Sequence, residues 1–363
     1  MNKEYNILKI TLITITFFLL LDVFAGKYLY KKFIRKNFKD VDTSYTIKHD
    51  IFHHNFLANF KGLTGWGKVR YNFCTDGNGF RDNCSNQFNK IKEFDIGFIG
   101  DSFTEATGIN YKDSFVGLIS SNLKDKKIAN LAVSSYSPSI YYAKINYLLN
   151  KGYKFKEIIV FIDLSDLIDD TVCYDLTDKI VLQRKTFANC YKNNAEKNNR
   201  MLNFFSKNFL LLSQFYNLIK TKIIKYKVPQ EIINHSRSEW TYNYKIENHN
   251  NYTYEEALEI IKNNMLKLSE LLISKNIELS IAVYPWPGTL KNDTENNKQV
   301  KLWKEFCNIN CKNFYNFMPL FFSELNNSEF SKVYRKLYIK NDVHLNTYGH
   351  KIISNFFIKN YKE

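Results

Sequence analysis

The stretch FIGDSFTEATG, residues 98–108, governs how the rest of the chain is read. A short apolar run ends in Gly100-Asp101-Ser102, which sets a hydroxyl where a buried strand should stop. In α/β chains, ligands meet the protein just beyond the carboxyl ends of strands. A lone serine there also serves as a helix cap. Chemistry at Ser102 therefore requires a base, an orienting acid and oxyanion donors from elsewhere in the chain.

Outward from this stretch, strand and helix patterns alternate. DIGFIG (95–100) reads as a strand and DSFVGLISSNL as the helix after it. KIANLAV (127–133) is a second strand, and PSIYYAKINYLLNKG (138–152) a helix with Pro138 in its first turn and Gly152 at its exit. EIIVFID (157–163) is apolar enough to be buried on both faces. Thr253 and Glu256 have capping-box spacing ahead of an apolar repeat through Leu272. IELSIAVYP (277–285) and FYNF near 314 supply further strands, and TYGHKIISNFF closes the chain as a helix. The pattern predicts a parallel sheet covered on both faces. Residues 171–251 interrupt it with an Asn-, Lys- and Tyr-rich insertion holding one apolar stretch, MLNFFSKNFLLLSQFYNLIKTKII. That insertion reads as a lid, an acceptor-binding surface, a membrane-lying helix or plain packing.

Near the other end stands NDVHLNTYGH, residues 341–350. Asp342 precedes His344 by two positions just before a helix start, and loops at strand ends converge on one edge of the sheet. A serine hydroxyl is a poor nucleophile until a base takes its proton, and that base needs a carboxylate to fix its tautomer.

Together the two blocks resemble the SGNH/GDSL hydrolases and the related carbohydrate O-acetyltransferases and esterases. Gly100-Asp101-Ser102-Phe103 is similar to the first block of that family, and Asp342-Val343-His344 with Leu345-Asn346 and Gly349 to the last. The resemblance spans roughly residues 90–363 without the insertion, and takes in NGFRD (78–82). It implies a three-layer α/β/α sandwich, Ser102 as nucleophile, His344 as general base and Asp342 as the acid. The middle blocks depart from the family. Ser135 in NLAVSSYSP stands where a glycine N–H usually faces the oxyanion, a change a backbone donor tolerates. Ser165 in Asp163-Leu164-Ser165-Asp166 replaces the usual asparagine amide. With the family's commoner spacing, Asn341 would take the acid's position, but asparagine cannot balance an imidazolium.

The chain has 363 residues, 45% of them hydrophobic, and a formal charge of +15. No basic run is interleaved with a nucleic-acid module, so nucleic acid is not an expected partner. Residues 7–25, ILKITLITITFFLLLDVFA, are nearly all apolar or threonine and long enough to cross a bilayer. The segment reads as an uncleaved anchor, although Val23-Phe24-Ala25 also has the spacing of a signal cleavage site. The expected organisation is a tail (1–6), the anchor (7–25), a basic linker (26–43) and one domain (44–363). Lysines and Arg35 after the anchor argue for a cytoplasmic domain. The six cysteines argue against it, falling into close pairs: Cys74 with Cys84, Cys173 with Cys190, Cys307 with Cys311. We give the cysteines precedence and expect a single-pass protein with an exoplasmic or periplasmic domain.

The expected function is a serine-dependent O-acyl esterase or O-acetyltransferase acting on a cell-surface glycan or lipid-linked saccharide. Its expected partners are the membrane, an acylated polysaccharide or lipid, and a membrane acyl-transport protein. The alternatives are a lipase or phospholipase of the same fold and a non-catalytic glycan-binding or assembly protein. No cofactor is required. His49, His53 and His54 in HDIFHH match no strong metal motif, so no metal is expected. Trp286 in YPWPG reads either as a stacking platform or as a packed turn.

Overall fold

The computed structural model describes residues 2–29, 41–184, 208–213, 227–243, 248–249, 252–326 and 328–361. The chain divides into two compact units.

The first unit joins Met1–Val41 to Asn193–Lys227. Its helix Asn2–Leu21 runs on through a π-turn over Asp22–Gly26. The window Lys9–Gly26 has a mean hydropathy of 1.8, long and apolar enough to cross a membrane, a measure that a signal sequence also meets. Asp22 interrupts this apolar run and is buried. Its carboxylate accepts the backbone N–H groups of Leu211 at 2.9 Å and Leu212 at 2.7 Å, which offsets the cost of burying it. Of the apolar stretch 201–224, residues 208–213 are described, and they are largely helical.

The second unit, Asp42–Lys192 with Val228–Glu363, opens with two antiparallel hairpins that periodicity did not announce. These are β1 (Thr46–His49) with β2 (His53–Phe56), and β3 (Lys61–Trp66) with β4 (Val69–Cys74). The central sheet then forms from β5 (Glu93–Gly100), β6 (Ile128–Asn130) and β7 (Lys154–Phe161). A hairpin of β8 (Tyr174–Thr177) and β9 (Ile180–Gln183) follows, within the expected insertion. The sheet is completed by β10 (Glu278–Val283) and β11 (Asn313–Asn316). Its order is β11-β10-β7-β5-β6, every pair parallel.

Ile96, Phe98, Ile158, Val160, Ile281 and Val283 are all fully buried, as strands covered on both faces require. Phe98 meets both Phe115 and Phe357, so helices Phe115–Asn122 and Thr347–Asn360 share one face. Helices Pro138–Asn150 and Tyr254–Ile273 pack together on the other, as right-handed crossovers demand. The fold is thus a three-layer α/β/α sandwich with a central parallel sheet. The capping box at Thr253 and Glu256 is formed, and the helix runs from Tyr254 to Ile273.

The second strand is shorter than its apolar run of 127–133. Asn130 Oδ1 accepts the Ala132 N–H at 3.2 Å and Asn130 Nδ2 donates to Thr104 O at 2.8 Å. The side chain thereby pulls the backbone out of the ladder. From β5 the chain steps outward to β6, then crosses back to β7, β10 and β11. The winding reverses at β5, where open α/β sheets leave a crevice beyond the strand ends.

Disulfides join Cys74 to Cys84, with Cα atoms 5.1 Å apart, and Cys307 to Cys311 at 4.5 Å. Cys173 is buried, and its expected partner Cys190 lies outside the described residues.

Candidate active site

Ser102 follows β5 immediately. A Cβ added at Gly100 would lie 2.4 Å from Thr104 Oγ1 and 2.9 Å from Phe161 O, so only glycine lets the turn fold this closely over the sheet. Asp101 Oδ1 accepts the Phe103 N–H at 2.9 Å and caps the four-residue helix Ser102–Glu105. Ala106 ends it in the left-handed region at φ 68°.

The other block comes from the loop before the last helix. Asn341 turns the chain at φ 59°. Asp342 N–H donates to Tyr334 Oη at 2.9 Å, the Ile339 N–H donates to His344 O at 2.8 Å, and Asn346 caps Thr347–Asn360 through Tyr348 and Gly349. This pinning brings His344 Nε2 to 2.8 Å from Ser102 Oγ, across 242 positions of sequence. His344 Nδ1 lies 2.5 Å from Asp342 Oδ1, which also accepts the His344 N–H at 2.9 Å. A carboxylate only accepts, so Nδ1 carries the ring proton and Nε2 is left to accept from the Ser102 hydroxyl. Asp342, not Asn341, faces the imidazole.

Trp66 completes this line. Its Nε1–H donates to Asp342 Oδ2 at 2.7 Å, and its ring meets His344 edge-on at 5.2 Å. Burial pushes the Asp342 pKa up, but the hydrogen bonds and charge of His344 and the indole N–H outweigh it and hold the carboxyl below the ordinary range. No sequence signal marked Trp66: it lies on a hairpin before the blocks and meets Asp342 only in three dimensions.

Asp101 is a second, different acid. It lies 2 % exposed, 3.3 Å from Ser102 Oγ through Oδ2, and shares Tyr284 Oη with Asp163 at 3.4 Å and 2.8 Å. Burial, then the neighbouring Asp163 carboxyl, raise its pKa well above the ordinary value. Trp286 is buried rather than offered as a platform, donating to Asp163 Oδ2 at 2.7 Å.

The loop after β6 carries Ser135 in the left-handed region, at φ 64°. Its neighbour Ser134 is clamped by Glu105, whose Oε2 accepts both the Ser134 N–H and Oγ–H at 2.6 Å. Glu105 thus ties this loop to the short helix that Ser102 opens. Beneath it Arg81, in the NGFRD stretch, lies over the Phe73 ring at 4.1 Å and donates to Ile109 O at 2.9 Å. Neither the Ser102 nor the Ser135 N–H is spent on a hydrogen bond among the described residues.

Ser165 lies in the turn after β7. Its N–H is committed to Asp163 Oδ1 at 2.8 Å, and its hydroxyl is fully buried with no partner among the described residues. Trp240, from beyond the insertion's undescribed part, donates to Leu164 O at 2.8 Å and closes over this turn. His350 is buried on the last helix and accepts the Phe115 N–H at 3.2 Å, away from the reacting line. Among the described residues no group of three or more acidic, histidine or cysteine side chains is gathered as a metal site.

No known family model and no curated protein matches the chain. Among solved structures it is similar to TesA, with 8% identity over 72% of this chain and 94% of that one, at a TM-score of 0.38. A putative lipolytic protein of the G-D-S-L family from Desulfitobacterium hafniense aligns at 12% identity, over 74% and 99%, at 0.38. Axe2, an acetylxylan esterase from Geobacillus stearothermophilus, aligns at 10%, over 75% and 94%, at 0.39. Likeness at this level bears no argument about chemistry, which rests on the residues themselves.

Proposed function

We propose that the chain is a serine-dependent O-acyl esterase or O-acetyltransferase acting on a cell-surface glycan or lipid-linked saccharide. In this reading the N-terminal helix anchors it and its domain faces the exoplasmic or periplasmic side. The observation that carries the chemistry is the 2.8 Å approach of Ser102 Oγ to an imidazole whose Nδ1 proton is held by Asp342. Two disulfides support an oxidising compartment.

Ser102 Oγ attacks the ester carbonyl as its proton passes to His344 Nε2. Asp342 stabilises the imidazolium. Charge gathers on the carbonyl oxygen, where the uncommitted N–H groups of Ser102 and Ser135 are its donors. As the tetrahedral adduct collapses, the bond to the leaving alkoxide breaks and Nε2 returns the proton to it, leaving acyl-Ser102. Water then attacks in an esterase, or a sugar hydroxyl in a transferase. The attacker's proton goes to Nε2 and from there back to Ser102 Oγ as the acyl group departs. A transferase requires an acyl donor on the same side of the membrane.

Labelling the full-length protein with a fluorophosphonate tests this. Wild type takes up one label and Ser102→Ala takes up none; a folded wild type that stays unlabelled overturns the reading. Acetyl release with and without a polysaccharide acceptor then separates transfer from hydrolysis.

A further inference from the structure

A cavity of about 750 Å³ lies beside this site, sharing Ser135 and Trp66 with it but none of Ser102, Asp342 and His344. Trp66, Glu105 and Ser135 form its near wall, so it adjoins the indole that holds Asp342 and the helix that Ser102 opens. Its far wall comes from β1, β2 and β9, including Ile47, His53 and Gln183. These elements lie outside both end blocks.

Hydrogen bonds and burial together bear on the charge of this lining. His54 Nε2 faces the Ser134 carbonyl at 2.8 Å, so it carries a proton. His54 Nδ1 lies 2.7 Å from His53 Nδ1. Burial pushes the His54 pKa down to about 3, so its ring is neutral and Nδ1 accepts from His53. Burial lowers His53 and His49 as well. Burial thus disfavours charge on all three imidazoles that could have made an anion cradle, Lys48 and Asp50 stand on the same wall with opposite charges, and Glu105 is turned to Ser134. An alkyl chain fits no better, because it would strip water from Thr46, Lys48 and Gln183, all exposed, without replacing their hydrogen bonds. What remains is a neutral ligand with hydroxyls for the polar wall and apolar ring faces for Trp66 (40% exposed), Ile47 (38%) and Leu182 (54%). The volume lies within the range of about 300–1,000 Å³ usual for small-molecule sites.

We propose that this cavity is a saccharide subsite, holding neutral sugar residues next to the acylated hydroxyl while the ester reaches Ser102 past Trp66. The route of the ester rests on the function proposed above; the binding of sugar does not.

The experiment titrates full-length Ser102→Ala protein in detergent with cellotetraose, xylotetraose and chitotetraose, with p-nitrophenyl octanoate as the acyl-chain probe. At least one tetrasaccharide is expected to bind with submillimolar affinity. Ile47→Trp, which fills the cavity from an exposed position, should weaken that binding about tenfold or more, a loss of about 1.4 kcal/mol. Its melting temperature reports folding, and Gln183→Trp is the second variant should Ile47→Trp melt early. Binding of none of the three sugars, equal affinity in the filled variants, or displacement by the octanoate alone overturns the proposal. Fluorophosphonate labelling of wild type separates the two claims. Label without sugar binding removes the subsite and leaves the enzyme, whereas sugar binding without label removes the enzyme and leaves the subsite.

Discussion

Asp342 and Asp101 both reach Ser102, one through His344 and the other directly at 3.3 Å. Asp342 collects three N–H donors, two from His344 and one from Trp66, and stays ionised. Asp101 receives one, from Phe103, lies almost fully buried, faces Asp163 across Tyr284, and holds its proton. Burial, donor supply and neighbouring charge, not residue type, push the two carboxyls in opposite directions. The result suits acyl chemistry. In the proposed mechanism a negative charge backs the imidazole, while the raised pKa of the acid beside Ser102 favours its neutral form, which does not repel a forming oxyanion.

That contrast can be broken at four points, all read as p-nitrophenyl acetate turnover. His344→Ala removes the base and should lower kcat by roughly 100,000-fold or more. Asp342→Asn keeps the shape but loses the charge and the preferred tautomer, and about a 10,000-fold fall is expected. Trp66→Phe removes one hydrogen bond to a charged group, so kcat should fall about tenfold with KM little changed. An unchanged kcat would make the indole a packing residue only.

Asp101→Asn should have the smallest effect, within about threefold in kcat, because asparagine keeps the cap and imitates a neutral acid. A loss as large as that of Asp342→Asn would end the comparison. Stability gives a second reading of the same variant. The folded state binds the Asp101 proton more tightly than the unfolded chain does, so this group's contribution is complete below its ordinary value of about 3.9 and declines as pH climbs through the raised folded value. Wild type should therefore lose more melting temperature between pH 5 and pH 8 than Asp101→Asn does.

Ser102, Asp342 and His344 were legible because each stands where a strand ends or a helix begins, positions that local pattern reveals. The sheet was legible for the same reason, since its strands are continuous apolar runs. Trp66 was not, because its partner Asp342 lies 276 positions away and no periodicity encodes such a meeting. The surroundings of Ser165 were not legible, because Trp240 covers the loop after β7, a tertiary event that a matching motif cannot foresee. The 127–133 run overstated its strand because one polar side chain, Asn130, competes for the backbone.

The carboxylate of Asp22 links two parts of the first unit that are distant in sequence. Its two oxygens hold the amides of Leu211 and Leu212, nearly two hundred residues downstream. Without Asp22 both amides would turn to water instead, since Leu212 is 46% exposed. In the proposed anchored protein, this stitch would tie the helix to residues 211 and 212 of the same unit.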